Sequence, residues 1–530
     1  MRLEKIQCKR IPNDTTSCIF TEIHGSDSFH LHLVYNIDAD SNAIKTLSFE
    51  ESNMDNIPAE LFDLYKNLEN LKATDLELER VQQYDFKNAK KLITLNVSSN
   101  HVTKLQDYMF DTLPKLESID MSHNLITTIR SRSFHLTVGY GNIIKVKNFN
   151  LSHNRLSSID MIKFDNLKFL EVLHLDHNHI ETVEALTSPR FLQENVLLTN
   201  LKELYLQQNK IKQFDASIVK NVPLINLDEN DLVSDNFNNA KLKQLYISYN
   251  ELKGLVISDQ LEVLHIIEND CPLKIDFNNN KAMKEIKIIG TTVSGKDNLI
   301  NAINNMKNLT SLELSLNDYN LNDKSFTNLN MLENLSLSFS SLVKIPSNIF
   351  KNKSFITQLD LSGNNFASID FKDFSPLINL KDLNLKSSGI KKINNYKDLK
   401  TILPNLETID ITENNFDCNH LNAIIDELTK HNITLSKDLH WFNYPTAVLG
   451  VTCNNSTEEI KNSSSSELQE IPNTNGTKTM SIFIVLLILT LLLLCMIFAY
   501  RKFDLGNKIK QLTLSNGTER LHNDETAQII

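Results

Sequence analysis

Glycine and proline are scarce, at 12 and 11 of 530 residues. That excludes a collagen-like chain, a Pro/Gly-rich disordered chain and a turn-dense β-sandwich. Charge of one sign is lacking too. Lys and Arg number 54 against 65 Asp and Glu, a net charge of −11, and no basic stripe stands out. Nucleic acid is therefore not an expected partner. There is no phosphate loop, no nucleophile elbow and no Cys/His metal cluster. We expect no enzyme and no cofactor. The opening residues, MRLEKIQCKRIPNDTTSCIF, hold no apolar run of the signal-peptide type.

One long apolar run is present: MSIFIVLLILTLLLLCMIFAY, residues 480–500, without a charge. As a helix it spans about 31 Å, the thickness of a bilayer's hydrocarbon core. A buried core helix of that length rarely tolerates apolar residues all round. Arg501 and Lys502 follow it, against Lys478 alone before it. The positive-inside bias then puts residues 501–530 in the cytoplasm and 1–479 outside, as in a single-pass plasma-membrane protein. That orientation needs a signal sequence, and we expect one to be missing from the N-terminus. The alternative is a tail-anchored cytosolic scaffold. Against it stand the Asn-x-Ser/Thr acceptors Asn13, Asn96, Asn150, Asn308, Asn334, Asn352, Asn432, Asn454, Asn455, Asn462 and Asn475. Cysteine placement agrees with them. Of six, Cys8 and Cys18 lie at one end of a long cysteine-poor stretch and Cys418 and Cys453 at the other. Proximity favours Cys8–Cys18 and Cys418–Cys453 disulfides, which persist in oxidising compartments.

Self-similarity accounts for most of the chain. LITLNVSSNHVTKL (92–105) recurs as LESIDMSHNLITTI (116–129), LEVLHLDHNHIETV (170–183) and ITQLDLSGNNFASI (356–369). Sixteen copies start near 44, 68, 92, 116, 146, 170, 201, 222, 242, 261, 283, 309, 332, 356, 380 and 406, many of them 24 residues apart. The pattern L-x-x-L-x-L-x-x-N-x-L is that of leucine-rich repeats. Its L-x-L core alternates, as a strand with one buried face does. A single such strand cannot bury that face, so copies must stack. We expect an α/β solenoid, a horseshoe with a parallel concave sheet and a mostly irregular convex side of turns and brief helical pieces. Asn100, Asn124, Asn154, Asn178, Asn209, Asn230, Asn250, Asn269, Asn317, Asn364 and Asn414 should form a ladder of side-chain amides. Leu76, Thr291, Ser340 and Ser388 replace it. Phe62, Phe86, Phe110, Phe134, Phe164, Phe350 and Phe374 should fill the convex core. The expected organisation is an N-terminal cap (1–43), the solenoid (44–416), a C-terminal cysteine cap (417–457), a stalk (458–479), the membrane helix (480–500) and a tail (501–530). In the C-terminal cap, Leu421, Ile424, Ile425 and Leu428 fall at helical spacing.

The repeats, cysteine caps and membrane run resemble extracellular leucine-rich-repeat receptors. The Q-C-K…S-C-I-F-T-E-I and N-x-F-D-C-x-x-L-x-x-I-I-x-x-L segments resemble insect leucine-rich-repeat immune proteins in a transmembrane form, and more distantly Toll ectodomains. The resemblance covers roughly 8–457. It implies recognition of proteins or microbial surfaces in innate immunity, and almost as readily cell adhesion. Two departures matter. The 30-residue tail is too short for a signalling domain, and no heptads extend the chain into a coiled coil. Signalling would pass through a homo- or heterodimer or a co-receptor.

Two clusters invite a functional reading. His123, His153 and His177 each precede a ladder Asn and should lie in a row, suited to a metal ion or to a pH response. S-H-N is also a common form of this turn with His in solvent. The usual metal-ligand spacings are absent, and we expect no metal there. The concave face holds His174, Tyr205, Asn226, Tyr246 and His265 at its middle positions, beside Glu203, Asp228, Gln244 and Lys287. Tyr and His combine an apolar body with a polar tip, as interface residues do. We take His174, Tyr205, Asp228, Tyr246, His265 and Lys287 as the candidate ligand-binding set. The alternative is an ordinary solvated sheet face. Acceptors Asn96, Asn150 and Asn334 would screen the flanks. Cys271 should be a buried free thiol, and Cys495 a packed thiol or a palmitoylation site.

Overall fold

A computed structural model describes residues 9–11, 14–25, 41–136, 144–184, 198–219, 221–238, 241–269, 271–436, 447–448 and 451–453. The chain divides into two units, Met1–Thr457 and Glu458–Ile530. The second, with the expected stalk, membrane run, Cys495 and tail, lies outside the described residues. Among the described residues no helix is long and apolar enough to cross a membrane.

The first unit is a leucine-rich-repeat solenoid. Its main sheet has nineteen strands, sixteen of them from successive repeats and all of those parallel. Most repeat strands are three residues long, with a buried middle residue between two half-buried ones, as in Val172–His174 and Gln244–Tyr246. The chain leaves the sheet at once because the next apolar residue must turn back into the same core. Leu95, Ile119, Phe149, Leu173, Leu204, Ile225, Leu245 and Leu264 stand in register through the stack. Each is fully buried, and each such burial stabilises the fold by about 1.5–3 kcal/mol.

The asparagine ladder follows the first buried column. Asn178 Nδ2 donates to the carbonyls of Leu151, Leu175 and Asp176, and its Oδ1 accepts from the Leu156 N–H. Asn124, Asn154, Asn209, Asn230 and Asn250 repeat this arrangement. The residue before each ladder position is left-handed, with φ from 51° to 55° at His123, His153, His177, Gln208, Glu229 and Tyr249. Leu76 supplies no amide. Asn100 of the next repeat compensates, its Oδ1 accepting from both Leu76 and Leu78 N–H. Asn364 does the same for Ser340 and Leu342, and Asn414 for Ser388 and Ile390.

On the convex side the expected phenylalanines are all buried. They stack between repeats, for example Phe110 on Phe134 at 5.9 Å and Phe134 on Phe164 at 5.3 Å. Short 3-10 turns carry several of them, as in Met161–Phe164 and Phe371–Phe374. One convex segment is a longer helix, Lys296–Asn304. Where the repeats shorten in the centre, Ser234–Asn236, Gly254–Val256 and Lys274–Asp276 form a second parallel sheet. Lys353 is an anomaly: it is 1 % exposed, three residues after Phe350, where other repeats carry Leu113, Leu167, Leu329 and Leu377.

Both ends of the stack are covered. Lys9–Ile11 pairs antiparallel with Asp14–Thr21, which lies parallel on the first repeat strand, Thr46–Glu50. Cys18 there is buried and disulfide-bonded, while Cys8 lies outside the described residues. At the other end the helix Cys418–Lys430 starts on Asp417, whose carboxylate accepts from the Asn419 and His420 N–H groups. Its buried face is Leu421, Ile424, Ile425 and Leu428. Cys418 and Cys453 are bonded, with Cα atoms 5.0 Å apart. Cys271 is a free thiol, but half-buried rather than buried. It follows a strand of five residues, Val263–Ile267, so its place in the turn is not that of the three-residue copies.

Candidate ligand-binding face

Parallel register turns equivalent positions of consecutive repeats into a line. His174 pairs with Tyr205, Tyr205 with Asn226, Asn226 with Tyr246, Tyr246 with His265, and His265 with Lys287. Five of the six candidate residues thus form one row across the concave sheet. The sixth, Asp228, lies two residues along the same face.

Two clusters flank Asn226. In the first, the His174 and Tyr205 rings are parallel with centroids 4.4 Å apart, and the Tyr205 hydroxyl donates to Glu203 at 2.9 Å. Burial, reinforced by Glu203, pushes the Tyr205 hydroxyl up to about 12, so it stays a donor at all ordinary pH. In the second, Tyr246 meets His265 edge-on at 4.8 Å and its hydroxyl donates to Gln244. Glu285 lies 2.9 Å from His265 Nε2 and 3.5 Å from Lys287 Nζ. Between the clusters Asp228 accepts from the Ser248 N–H, and burial raises its carboxyl above the ordinary value. The rings are thus held by neighbours on their own face. A ligand meets them with little side-chain ordering left to impose. Beyond Lys287 the same row becomes acidic, through Glu313, Asp360 and Asp410.

Glu285 was not among the residues singled out from sequence. The signal was Glu-x-Lys on one strand face beside His265, but its role depends on side-chain directions that spacing does not give. Of the glycan acceptors, Asn308, Asn352 and Asn432 are exposed. Asn96, Asn150 and Asn334 are half-buried on the concave face, where Asn96 and Asn150 each accept a backbone N–H two residues on. Asn13, Asn454, Asn455, Asn462 and Asn475 lie outside the described residues.

The histidine row is more tightly assembled than solvated turns would be. His123 stacks on His153 at 4.0 Å and His153 on His177 at 3.8 Å. Only His123 is exposed; His153 and His177 are half-buried. Burial, then the two neighbouring rings, hold His153 below its ordinary value. Asp176 lies beneath them, 2.9 Å from His177 Nδ1 and 3.3 Å from His174 Nδ1. Burial opposes its charge, yet these hydrogen bonds leave its carboxyl below the usual value.

Residues 90–137 match the leucine rich repeat family, 144–188 a two-copy leucine rich repeat family, and 300–421 the BspA type leucine rich repeat region. Together with the stacked fold, these show that the first unit carries leucine-rich repeats. Its likeness to particular proteins is distant. Lumican of Coturnix japonica is 27 % identical over 283 residues, which is 52 % of this chain and 73 % of that protein. A leucine-rich-repeat protein of Leptospira interrogans superimposes with a TM-score of 0.55 at 20 % identity, covering 74 % of this chain and 90 % of that one. The Drosophila Toll–Spätzle complex gives 0.52 at 16 % identity, over 80 % of this chain and 61 % of that one. At such identities the structures share a fold only.

Proposed function

We propose that this chain is a single-pass plasma-membrane recognition protein acting in innate immunity. Its N-terminal unit faces outward and binds a protein or microbial-surface ligand through the central concave face. It is no enzyme and uses no cofactor in this role. The observation that carries the reading is the row His174–Tyr205–Asn226–Tyr246–His265–Lys287, with its rings already fixed by Glu203, Gln244 and Glu285. Aromatic anchors held in place are what interface hot spots require. The apolar run 480–500 and the basic pair after it support the membrane placement. The Toll–Spätzle structure supports the mode of action, since there a fold of this kind is held in complex with a protein.

The test is capture of partners by the full chain beside the Tyr205→Ala/Tyr246→Ala double variant, both checked for fold. Microbial or immune-protein capture that is lost in the variant supports the proposal. Capture retained in the variant moves the site elsewhere. Capture of itself or of adhesion proteins alone makes cell adhesion the better reading.

A further inference from the structure

We infer that His153, Asp176 and His177 form a binding site for a divalent d-block cation of the zinc class. One nitrogen from each ring and one carboxylate oxygen all lie within 4.8 Å of one another. Donors at about 2.0–2.1 Å from a tetrahedral zinc ion stand about 3.3 Å apart. His177 Nδ1 and Asp176 Oδ2 are already at 2.9 Å. The wider separation closes by rotating a half-exposed imidazole, with no backbone change.

The backbone is arranged to hold such a site. His153 and His177 have the same left-handed conformation, φ 52° and 53°, in adjacent repeats. The His153 N–H donates to the Asp176 carbonyl, tying the two turns together. Asp176 is 6 % exposed, so its carboxylate has few places to point. One oxygen is held by His174 and the other faces His177. That division of labour is typical of metal sites, where an outer partner orients a ligating group. Two imidazoles and one carboxylate suit zinc and its neighbours rather than calcium or magnesium, which prefer all-oxygen sets. Three protein donors leave a fourth position open to water. The sequence signal is the repeated S-H-N and D-H-N, in which no metal-ligand spacing occurs along the chain. The ligands converge across repeats, so linear spacing carries no information about them.

The test titrates zinc chloride into the purified full chain by calorimetry, with cobalt(II) absorption as a second readout of coordination. Variants are His153→Gln/His177→Gln and, as a control, His179→Gln, whose ring is exposed. Glutamine is tolerated at this turn, since Gln208 occupies it one repeat on with φ 54°. Cys271→Ser controls for the free thiol. The expected result is about one zinc per chain. Affinity falls by roughly tenfold or more in the double histidine variant, and is unchanged in the two controls. Equal denaturation midpoints without metal show that the double variant is folded. No saturable zinc binding by the parent chain, or binding equally tight in the double variant, overturns the inference. A response of the stacked rings to protons alone, without zinc uptake, overturns it as well.

Discussion

Replacing Asn178 by leucine tests the ladder at its centre. Leucine is sterically admissible, because Leu76 stands at the same position of an earlier repeat, fully buried. The amide's three acceptors all keep a second donor. The Leu151 carbonyl still receives Asn154, the Leu175 carbonyl receives Asn209, and the Asp176 carbonyl receives the His153 N–H. The Leu156 N–H is different, for its acceptor is Asn178 Oδ1. At Leu76 the next asparagine accepts two N–H groups. Here Asn209 Oδ1 already takes Ile180 and would gain only the new residue's own N–H. In the Leu76 repeat the equivalent Met54 N–H is accepted by the Leu76 carbonyl; without that backbone shift at residue 178 the substitution orphans one buried donor, at about 1–3 kcal/mol, and it removes amide bonds whose net worth is about 1 kcal/mol. Extra apolar burial offsets part of this. The expected loss is about 2–3 kcal/mol, concentrated in residues 151–180 because each repeat contacts only its neighbours. Hydrogen exchange should show amides there opening first, with a matching fall in the urea midpoint of the earliest transition. Protection unchanged within about 0.5 kcal/mol would refute the claim that the Asn178 amide is needed to pair the Leu156 N–H.

Other expectations follow from buried groups that break the repeat. Lys353 fills a leucine position with its Nζ on the Thr327 and Lys351 carbonyls, and burial holds its pKa below the ordinary 10.5. Lys353→Leu should raise stability at pH 7 by about 1–3 kcal/mol. The unfolded chain binds the proton more tightly, so the parent gains stability as pH rises toward 10.5 and the gap narrows; paired denaturation series at pH 7 and pH 10 check this. Asp235 stands in register with Leu255 and Ile275, and burial pushes its carboxyl from 3.8 up to about 7. Its folded form holds the proton more tightly, so its contribution is full below pH 4 and is lost as pH rises toward 7. Asp235→Asn should flatten that part of the stability–pH profile, and an unaltered slope would contradict the assignment. Gly363 has φ +67°, and a Cβ there would meet the Phe339 ring at 2.4 Å. Gly363→Ala should cost about 1–2 kcal/mol even with Phe339→Ala beside it, measured by thermal melting of the single and double variants.

The parallel sheet and the inward asparagine turn are legible in L-x-x-L-x-L-x-x-N, because alternation and period alone dictate them. The row from His174 to Lys287 is legible for the same reason, as equivalent positions of stacked copies become neighbours. What pairs across copies is not legible. Leu76 reads as a gap in the ladder, yet Asn100 fills it by accepting twice. Glu285 gains its role only from the directions of His265 and Lys287. The histidines looked like solvated turns, whereas a shared left-handed backbone stacks them over Asp176. Lys353 sits in a K-N-K-S stretch that reads as surface, and only the place three residues after Phe350 buries it.

The central claim is that the concave face between Tyr205 and Tyr246 meets the ligand. Asp228→Thr tests it most directly, because it makes Asn226 an Asn-x-Thr acceptor in the middle of the row. A glycan there obstructs the face without touching the rings, and Asn226→Gln/Asp228→Thr, which carries no acceptor, controls for loss of the Asp228 carboxylate and its bond from the Ser248 N–H. Asn238→Ser makes an equal acceptor of the exposed convex Asn236 and serves as control. Mass spectrometry would establish occupancy, and binding of the captured ligand would be measured for both. The account predicts binding abolished by the glycan at Asn226 and retained with the glycan at Asn236. Binding retained with Asn226 fully glycosylated would contradict it.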